Sequence, residues 1–287
     1  MIALAQALVD RYRFPEECIQ LQLSGSLSED SGFFRFGPET ICYGRSSAGF
    51  RKRTLQAGLY DILNDIGING SDLLLPFNPT DIIENFRRER YVGRGQAAGN
   101  IRRVAKRGYY FLRPLLGTRL RRGIQKAHLQ GWKKLTFPNW PVDTSVENIC
   151  EKLLGLSLKA QGRNSIPFIW FWPNAATACV MMTHDVETTR GRDFCLSLMD
   201  IDDSYGIRAS FQVVPEERYA VSPQFLASIR GRGFELNVQD LNHDGRLFSN
   251  RDEFRRRAKK INRYLAEYGC GGFRAAVLYR EPDWYDA

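Results

Sequence analysis

Residues 207–245 read IRASFQVVPEERYAVSPQFLASIRGRGFELNVQDLNHDG. Two short apolar runs, IRASFQVVP (207–215) and FELNVQ (234–239), flank a stretch near 222–231 with helical spacing. Strand, helix and strand in that order make a parallel β/α unit. The rhythm extends both ways from it. ACVMMTHD (178–185) precedes a helix near 191–204, and a strongly charged helix at 251–268 leads to GFRAAVLY (272–279). IPFIWFWP (166–173), a short apolar and aromatic run, opens the series, so residues 166–287 form an α/β region. In parallel β/α folds chemistry collects at the C-terminal ends of the strands. The polar residues that end the runs are Thr183 to Glu187, Pro215 to Arg218, Gln239 to Asp244, and Arg274.

Upstream, residues 1–165 alternate short extended runs with helices and form an α+β accessory region. FFRFGPETICYG (33–44) predicts a hairpin turning at Gly37-Pro38. A helix is expected over 51–66, and Pro79 opens another that runs to about Tyr91. TFPNWPVD (136–143) is a rigid connector, after which Thr144 or Ser145 caps a helix through Lys159.

The chain of 287 residues carries 41 Lys plus Arg against 32 Asp plus Glu, a formal charge of +9. Fifteen of the basic residues and one acid, Glu89, lie between Arg87 and Lys134, so this stretch holds +14 and the remainder −5. After Pro114, Leu115, Leu116, Leu120, Ile124, His128 and Leu129 recur at mostly helical spacing, with Arg119, Arg121, Arg122, Lys126 and Lys133 between them. Such a basic amphipathic segment (87–134) either packs on its own domain or lies on an anionic membrane surface. No helix-turn-helix, zinc-finger or RNA-binding aromatic signature accompanies the arginines, which argues against nucleic acid. The start lacks a basic n-region, and no apolar run is long enough to span a bilayer. The six cysteines are scattered without a C-x-x-C pair and read as buried, reduced thiols. These features predict a cytoplasmic protein, peripheral to the inner membrane if the basic segment binds lipid.

The strand ends hold the chemistry. Residues two apart in a strand share a face, so Asp185 and Glu187 point together and His184 points away. Two carboxylates at a strand end require solvent, a partner or a metal. If a helical turn follows Gln239, then Gln239 and His243 share one face. Arg274 is a natural clamp for a carboxylate. His128 and His184 read as structural.

The segment from about Phe168 to Ala287 resembles the polysaccharide deacetylase family, carbohydrate esterases related to chitin and peptidoglycan de-N-acetylases. The likeness rests on THDVE (183–187), QDLNH (239–243) and Arg274, with ASFQVVPE (209–216) and LNHDGRLF (241–248) around them. The resemblance implies the first half of a deacetylase-type (β/α) barrel and a metal-dependent removal of acetyl groups from N- or O-acetylated carbohydrate. It makes Asp185 the general base and Arg274 its orienter, with Glu187, His243 and Gln239 as metal ligands. Gln239 stands where the family has His, Glu187 where it has Asp, and Ala276 where it has Pro. A carbonyl oxygen is a weaker ligand than imidazole, so a divalent ion, Zn2+ first, is expected to bind weakly unless His184, Asp240 or Asp244 helps. No His follows His243 to supply the family's general acid, which reads as a C-terminally truncated chain. The alternative is a catalytically degenerate protein that keeps the fold and binds glycan or a membrane surface.

Overall fold

The computed structural model describes residues 4–49, 51–55, 58–92, 117–128, 137–139, 141–277 and 281–285. It divides into two compact units, Met1–Phe171 and Trp172–Ala287, and the chain is of mixed α/β class. Among the described residues no helix is long and apolar enough to cross a membrane.

In the first unit α1 (Gln6–Tyr12) leads to β1 (Leu21–Leu23), followed by the hairpin β2 (Gly32–Arg35) and β3 (Ile41–Gly44). Gly37 adopts φ +79°, the left-handed backbone this turn requires. β4 (Gly67–Asn69) and β5 (Asp72–Leu75) complete a second sheet in the order β1-β5-β4, with β1 parallel and β4 antiparallel to β5. α2 (Pro79–Arg87) starts where Asn78 accepts the amides of Thr80 and Asp81, with Pro79 in the first turn. α3 (Thr118–His128) follows, and residues 93–116 and 129–134 of the basic segment lie outside the described residues. α4 (Ser145–Ala160) buries Ile149, Cys150, Leu153 and Ser157 at helical spacing against Phe34, Phe36, Leu73, Leu75, Phe77 and Ile82.

Four expectations for local structure are corrected. Residues 51–66 form no α-helix among those described. Lys52 and Phe33 exchange both backbone hydrogen bonds, and Tyr60 accepts the Arg35 amide, so pairing with β2 claims the polar groups a helix needs. Only Ile62–Asp65 forms a short 3-10 turn. The cap of α4 is Asp143, whose carboxylate takes the Ser145 amide at 3.0 Å, while Thr144 makes no side-chain cap bond. The aromatic run at 166–173 forms no strand and falls mostly within the first unit. Phe168 and Phe171 each lie 5.9 Å from the Tyr12 ring, and the Ile169 amide donates to Tyr12 O. Cys179 is exposed, whereas Cys18, Cys42, Cys150 and Cys195 are buried.

The second unit is a repeated β/α alternation. β6 (Thr183–Val186), α5 (Thr189–Ser204), β7 (Ser210–Val213), α6 (Pro223–Gly231), β8 (Glu235–Gln239), α7 (Arg251–Tyr268) and β9 (Phe273–Arg274) follow in order. All pairings are parallel, in the order β6-β7-β8-β9, which leaves β6 and β9 at the edges of the described sheet. β6 is shorter than the apolar run predicts. Val180 and Met181 are almost fully exposed, and pairing begins at Thr183.

Register and two-residue period sort the side chains into two faces. Val186, Phe211, Val213, Leu236 and Val238 lie on one face, in a core that Cys195, Met199, Leu226, Ile229, Phe254 and Ile261 of the three helices complete. The other face is polar. It carries Thr183 and Asp185, Ser210 and Gln212, Asn237 and Gln239, and Arg274. Asn caps α7 and hydroxyl residues cap α5 and α6, through Asn250, Thr188 and Ser222.

Asp203 in the last turn of α5 receives the guanidinium groups of Arg232 (Nη2 at 2.5 Å) and Arg208. The Arg232 hydrogen bond is the largest influence and, with the Arg208 bond and the charges of both, holds its carboxyl below the ordinary value of 3.8 against the upward push of desolvation. A carboxyl lowered by folding stabilises the fold fully above its unfolded value and loses that contribution as pH falls through the folded value. Asp203→Asn should therefore lower the urea midpoint at about pH 6, and the gap from wild type should close below the ordinary carboxylate range. A gap independent of pH would refute the electrostatic origin.

Candidate active site

The C-terminal edge of the second unit's sheet gathers the five residues singled out in the sequence. They form two contacting groups. Arg274 Nη1 donates to Asp185 Oδ1 at 2.5 Å, and its Nη2 donates to Thr183 Oγ1 at 3.1 Å. Thr183 lies two residues before Asp185, on the same face, so one guanidinium spans both ends of the β6 polar row. Asp185 and Arg274 side chains are each 38% exposed, which keeps the pair within reach of solvent.

The second group forms around Glu187. His243 Nε2 lies 3.0 Å from Glu187 Oε1, and Gln239 Nε2 donates to the same oxygen at 3.3 Å. The imidazole makes no hydrogen bond in line with the carboxylate, so Nε2 is close to Glu187 but not engaged by it. Gln239 is almost completely buried, and its Oε1 has no hydrogen-bond partner.

His243 does not arrive by the expected helical turn. Residues 241–245 form a bend. Asp240 and His243 have φ of 51° and 54°, left-handed values that an α-helix excludes. The residues expected to help a metal are engaged elsewhere or closed off. His184 Nε2 meets Asp202 Oδ2 at 2.7 Å on α5, and its ring packs at a tilt against Phe211, with centroids 5.0 Å apart, so it belongs to the apolar face. Asp244 accepts both terminal nitrogens of Arg257, at 2.7 and 2.8 Å. Burial pushes the Asp244 carboxyl up most strongly, but the hydrogen bonds from Arg257 and the Arg246 amide, with the charges of both arginines, together hold it low. Asp240 is fully buried, with Oδ1 on the Leu241 amide and Oδ2 unpartnered, and desolvation pushes its carboxyl up.

Among the described residues no three His, Cys, Asp or Glu side chains converge as a ready metal set. The donors at this edge are one carboxylate, one imidazole and one amide. Two donors each about 2.1 Å from one ion are roughly 3.0–3.4 Å apart at right-angled to tetrahedral geometry. The Glu187–His243 separation of 3.0 Å falls within that span. A half-turn of the Gln239 amide would put Oε1 where Nε2 now lies, 3.3 Å from Glu187. Two oxygens so placed require a cation or proton between them, and the orphaned buried Oε1 is compatible with that role. The donor set therefore fits a divalent ion, held loosely because one donor is a weakly ligating amide oxygen.

One participant escaped the sequence reading. Arg257 occupies a core position of the α7 apolar stripe, three residues after Phe254 and four before Ile261, and its side chain is only 7% exposed. It also donates to Asn242 Oδ1 at 3.1 Å and to Glu253 Oε1 at 2.5 Å. A charged residue in an apolar stripe was the available signal.

Comparison with protein-family models, curated proteins and solved structures returns no match.

Removing Arg257 leaves Asp244 partly buried with the Arg246 amide at 2.9 Å but without its cation. Arg257→Met should cost about 3 kcal/mol in urea unfolding of the second unit, and adding Asp244→Asn should recover part of that loss. Strictly additive effects of the two substitutions would contradict the pairing.

Proposed function

We propose that the chain is a metal-dependent hydrolase that removes an acetyl group from an N-acetylated or O-acetylated carbohydrate, with its sheet as part of a deacetylase-type (β/α) barrel. The observation that carries this reading is the Asp185–Arg274 pair at 2.5 Å, on the strand edge that also brings Glu187, His243 and Gln239 together. A carboxylate with one oxygen fixed by guanidinium and solvent at hand is placed to take a proton from water. Arg274 fixes its direction. Glu187, His243 and Gln239 would hold the divalent ion, with Zn2+ the leading candidate, and the ion would supply Lewis acidity toward the acetyl carbonyl. Water oxygen bonds to the acetyl carbon, the bond to the sugar nitrogen or oxygen breaks, and acetate leaves while the sugar group takes a proton.

Acetate release from N-acetylated chitooligosaccharide, assayed with added zinc, tests the reading. Asp185→Asn should lower the rate by about 100-fold or more. Gln239→His should tighten zinc by about tenfold or more in chelator competition. Wild-type protein that releases no acetate at any zinc concentration would sink the enzyme reading and favour the degenerate, glycan-binding one, for which the weakly ligating amide of Gln239 already speaks.

α3 supports a second property. Leu120 and Ile124 are exposed on it, 56% and 39%, among Arg119, Arg122 and Lys126. An apolar stripe flanked by cations is suited to an anionic membrane surface, which would place the protein at the cytoplasmic face of the inner membrane. Vesicles containing phosphatidylglycerol should float the full chain, and reversing Arg119, Arg122 and Lys126 to Glu should abolish flotation. Equal flotation of both proteins would exclude this surface.

A further inference from the structure

Glu187 and His243 follow the C-terminal ends of β6 and β8, strands that are not neighbours. β7 lies between β6 and β8, so the two strand axes are roughly 9.6 Å apart, yet the two side chains meet at 3.0 Å. Something at the end of β7 must fix the ends of both flanking strands.

The connection after β7 reaches both of them. Tyr219 Oη donates to Val186 O at 2.6 Å and accepts the Val214 amide at 3.0 Å. Val186 is the residue between Asp185 and Glu187, so this one phenol ties the β6 carboxylate pair to the end of β7. Arg218 reaches the other way, donating from Nε to Asn242 O at 3.1 Å and from Nη2 to His243 O at 2.6 Å. The Glu216 amide donates to Leu241 O at 2.9 Å. Its carboxylate in turn accepts Lys260 Nζ at 3.1 and 3.3 Å and Tyr264 Oη at 3.2 Å, both from α7. Glu217, between Glu216 and Arg218, has φ 67°, a left-handed value. Burial pushes the Tyr219 phenol well above its ordinary range, so it remains a neutral donor at working pH.

We propose that Arg218 and Tyr219 are positioning residues, and that the segment Glu216–Tyr219 is a brace that sets Glu187 and His243 at the separation one ion requires. Neither touches the reacting atoms. Each acts through backbone: Tyr219 on the carbonyl between the two acids, Arg218 on the carbonyl of the left-handed His243. Without Arg218 the 241–245 bend loses two of the bonds that hold His243 in a conformation a side-chain-bearing residue seldom adopts. The consequence for metal rests on the deacetylase reading, but the geometric claim does not.

The test uses the full chain and two readouts. Arg218→Met and Tyr219→Phe should each shift the His243 ring resonances in NMR spectra of the metal-free protein and weaken zinc by about tenfold in chelator competition. In Arg218→Met the His184 resonances, anchored by Asp202, should stay in place. Arg218→Lys, which retains one donor, should restore zinc affinity in part. His243 resonances that stay put in both folded variants would overturn the brace. Should Tyr219→Phe fail to fold, Arg218→Met and Arg218→Lys decide alone. Should wild type bind no zinc, the metal reading fails and the resonance shifts still decide the brace.

Discussion

The alternation of side chains across the parallel sheet of the second unit is the constraint on which everything else depends. A strand exposes successive residues to opposite faces, so one sequence of four or five residues must serve two environments. Val186, Phe211, Val213, Leu236 and Val238 supply an apolar face that α5, α6 and α7 cover. The intervening residues are free to be polar, and every one in contact with the site is. A shift of one residue in any strand would exchange the faces, putting Asp185 or Gln239 against the helices and Phe211 among the polar side chains. The hydrophobic core thus fixes the register, and the register places the site.

The polar face is itself ordered by hydrogen bonds. Gln212 Nε2 and Asn237 Nδ2 both donate to Ser210 Oγ, at 2.7 and 2.8 Å, all three side chains being buried. Asn237 Oδ1 and Gln239 Oε1, two residues apart on β8, remain without partners. The β9 approach is close enough that a Cβ on Gly272 would meet Asn237 Oδ1 at 2.0 Å, which explains glycine there. A buried amide oxygen left unpaired costs about 1–3 kcal/mol. Two along one strand, leading to Glu187 and His243, form a row of neutral acceptors suited to a cation or to water.

Much of this unit was legible in advance because its strands obey simple patterns. IRASFQVVP and FELNVQ alternate apolar with polar residues, are bounded by turns, and became β7 and β8. The misreadings share one physical cause, that local pattern does not reveal which backbone is available for pairing. Val180 and Met181 look like strand interior, but β6 lies at the edge of the described sheet and its pairing starts at Thr183. Residues 51–66 contain helix formers, yet Lys52 and Tyr60 bond to β2 instead. QDLNH suggested an i, i+4 helical pair, and its two ends do meet at Glu187, but through left-handed Asp240 and His243. The contact was readable from residue chemistry, and the path of the chain between was not.

The same limit applies to charge. The formal +9 reports mainly the segment from Arg87 to Lys134, while the site is governed by who pairs with whom. Four acids lie within a short stretch of one sheet edge, and the fold treats each differently. Asp185 is fixed by Arg274 yet open to solvent, Asp244 is neutralised by buried Arg257, and Asp240 is sealed with one oxygen unpartnered. Glu187 alone is close to an imidazole with a free nitrogen and an amide that can present either end. The division is one of rigidity: the guanidinium holds Asp185 in one geometry, while the Gln239 amide can turn either end toward Glu187.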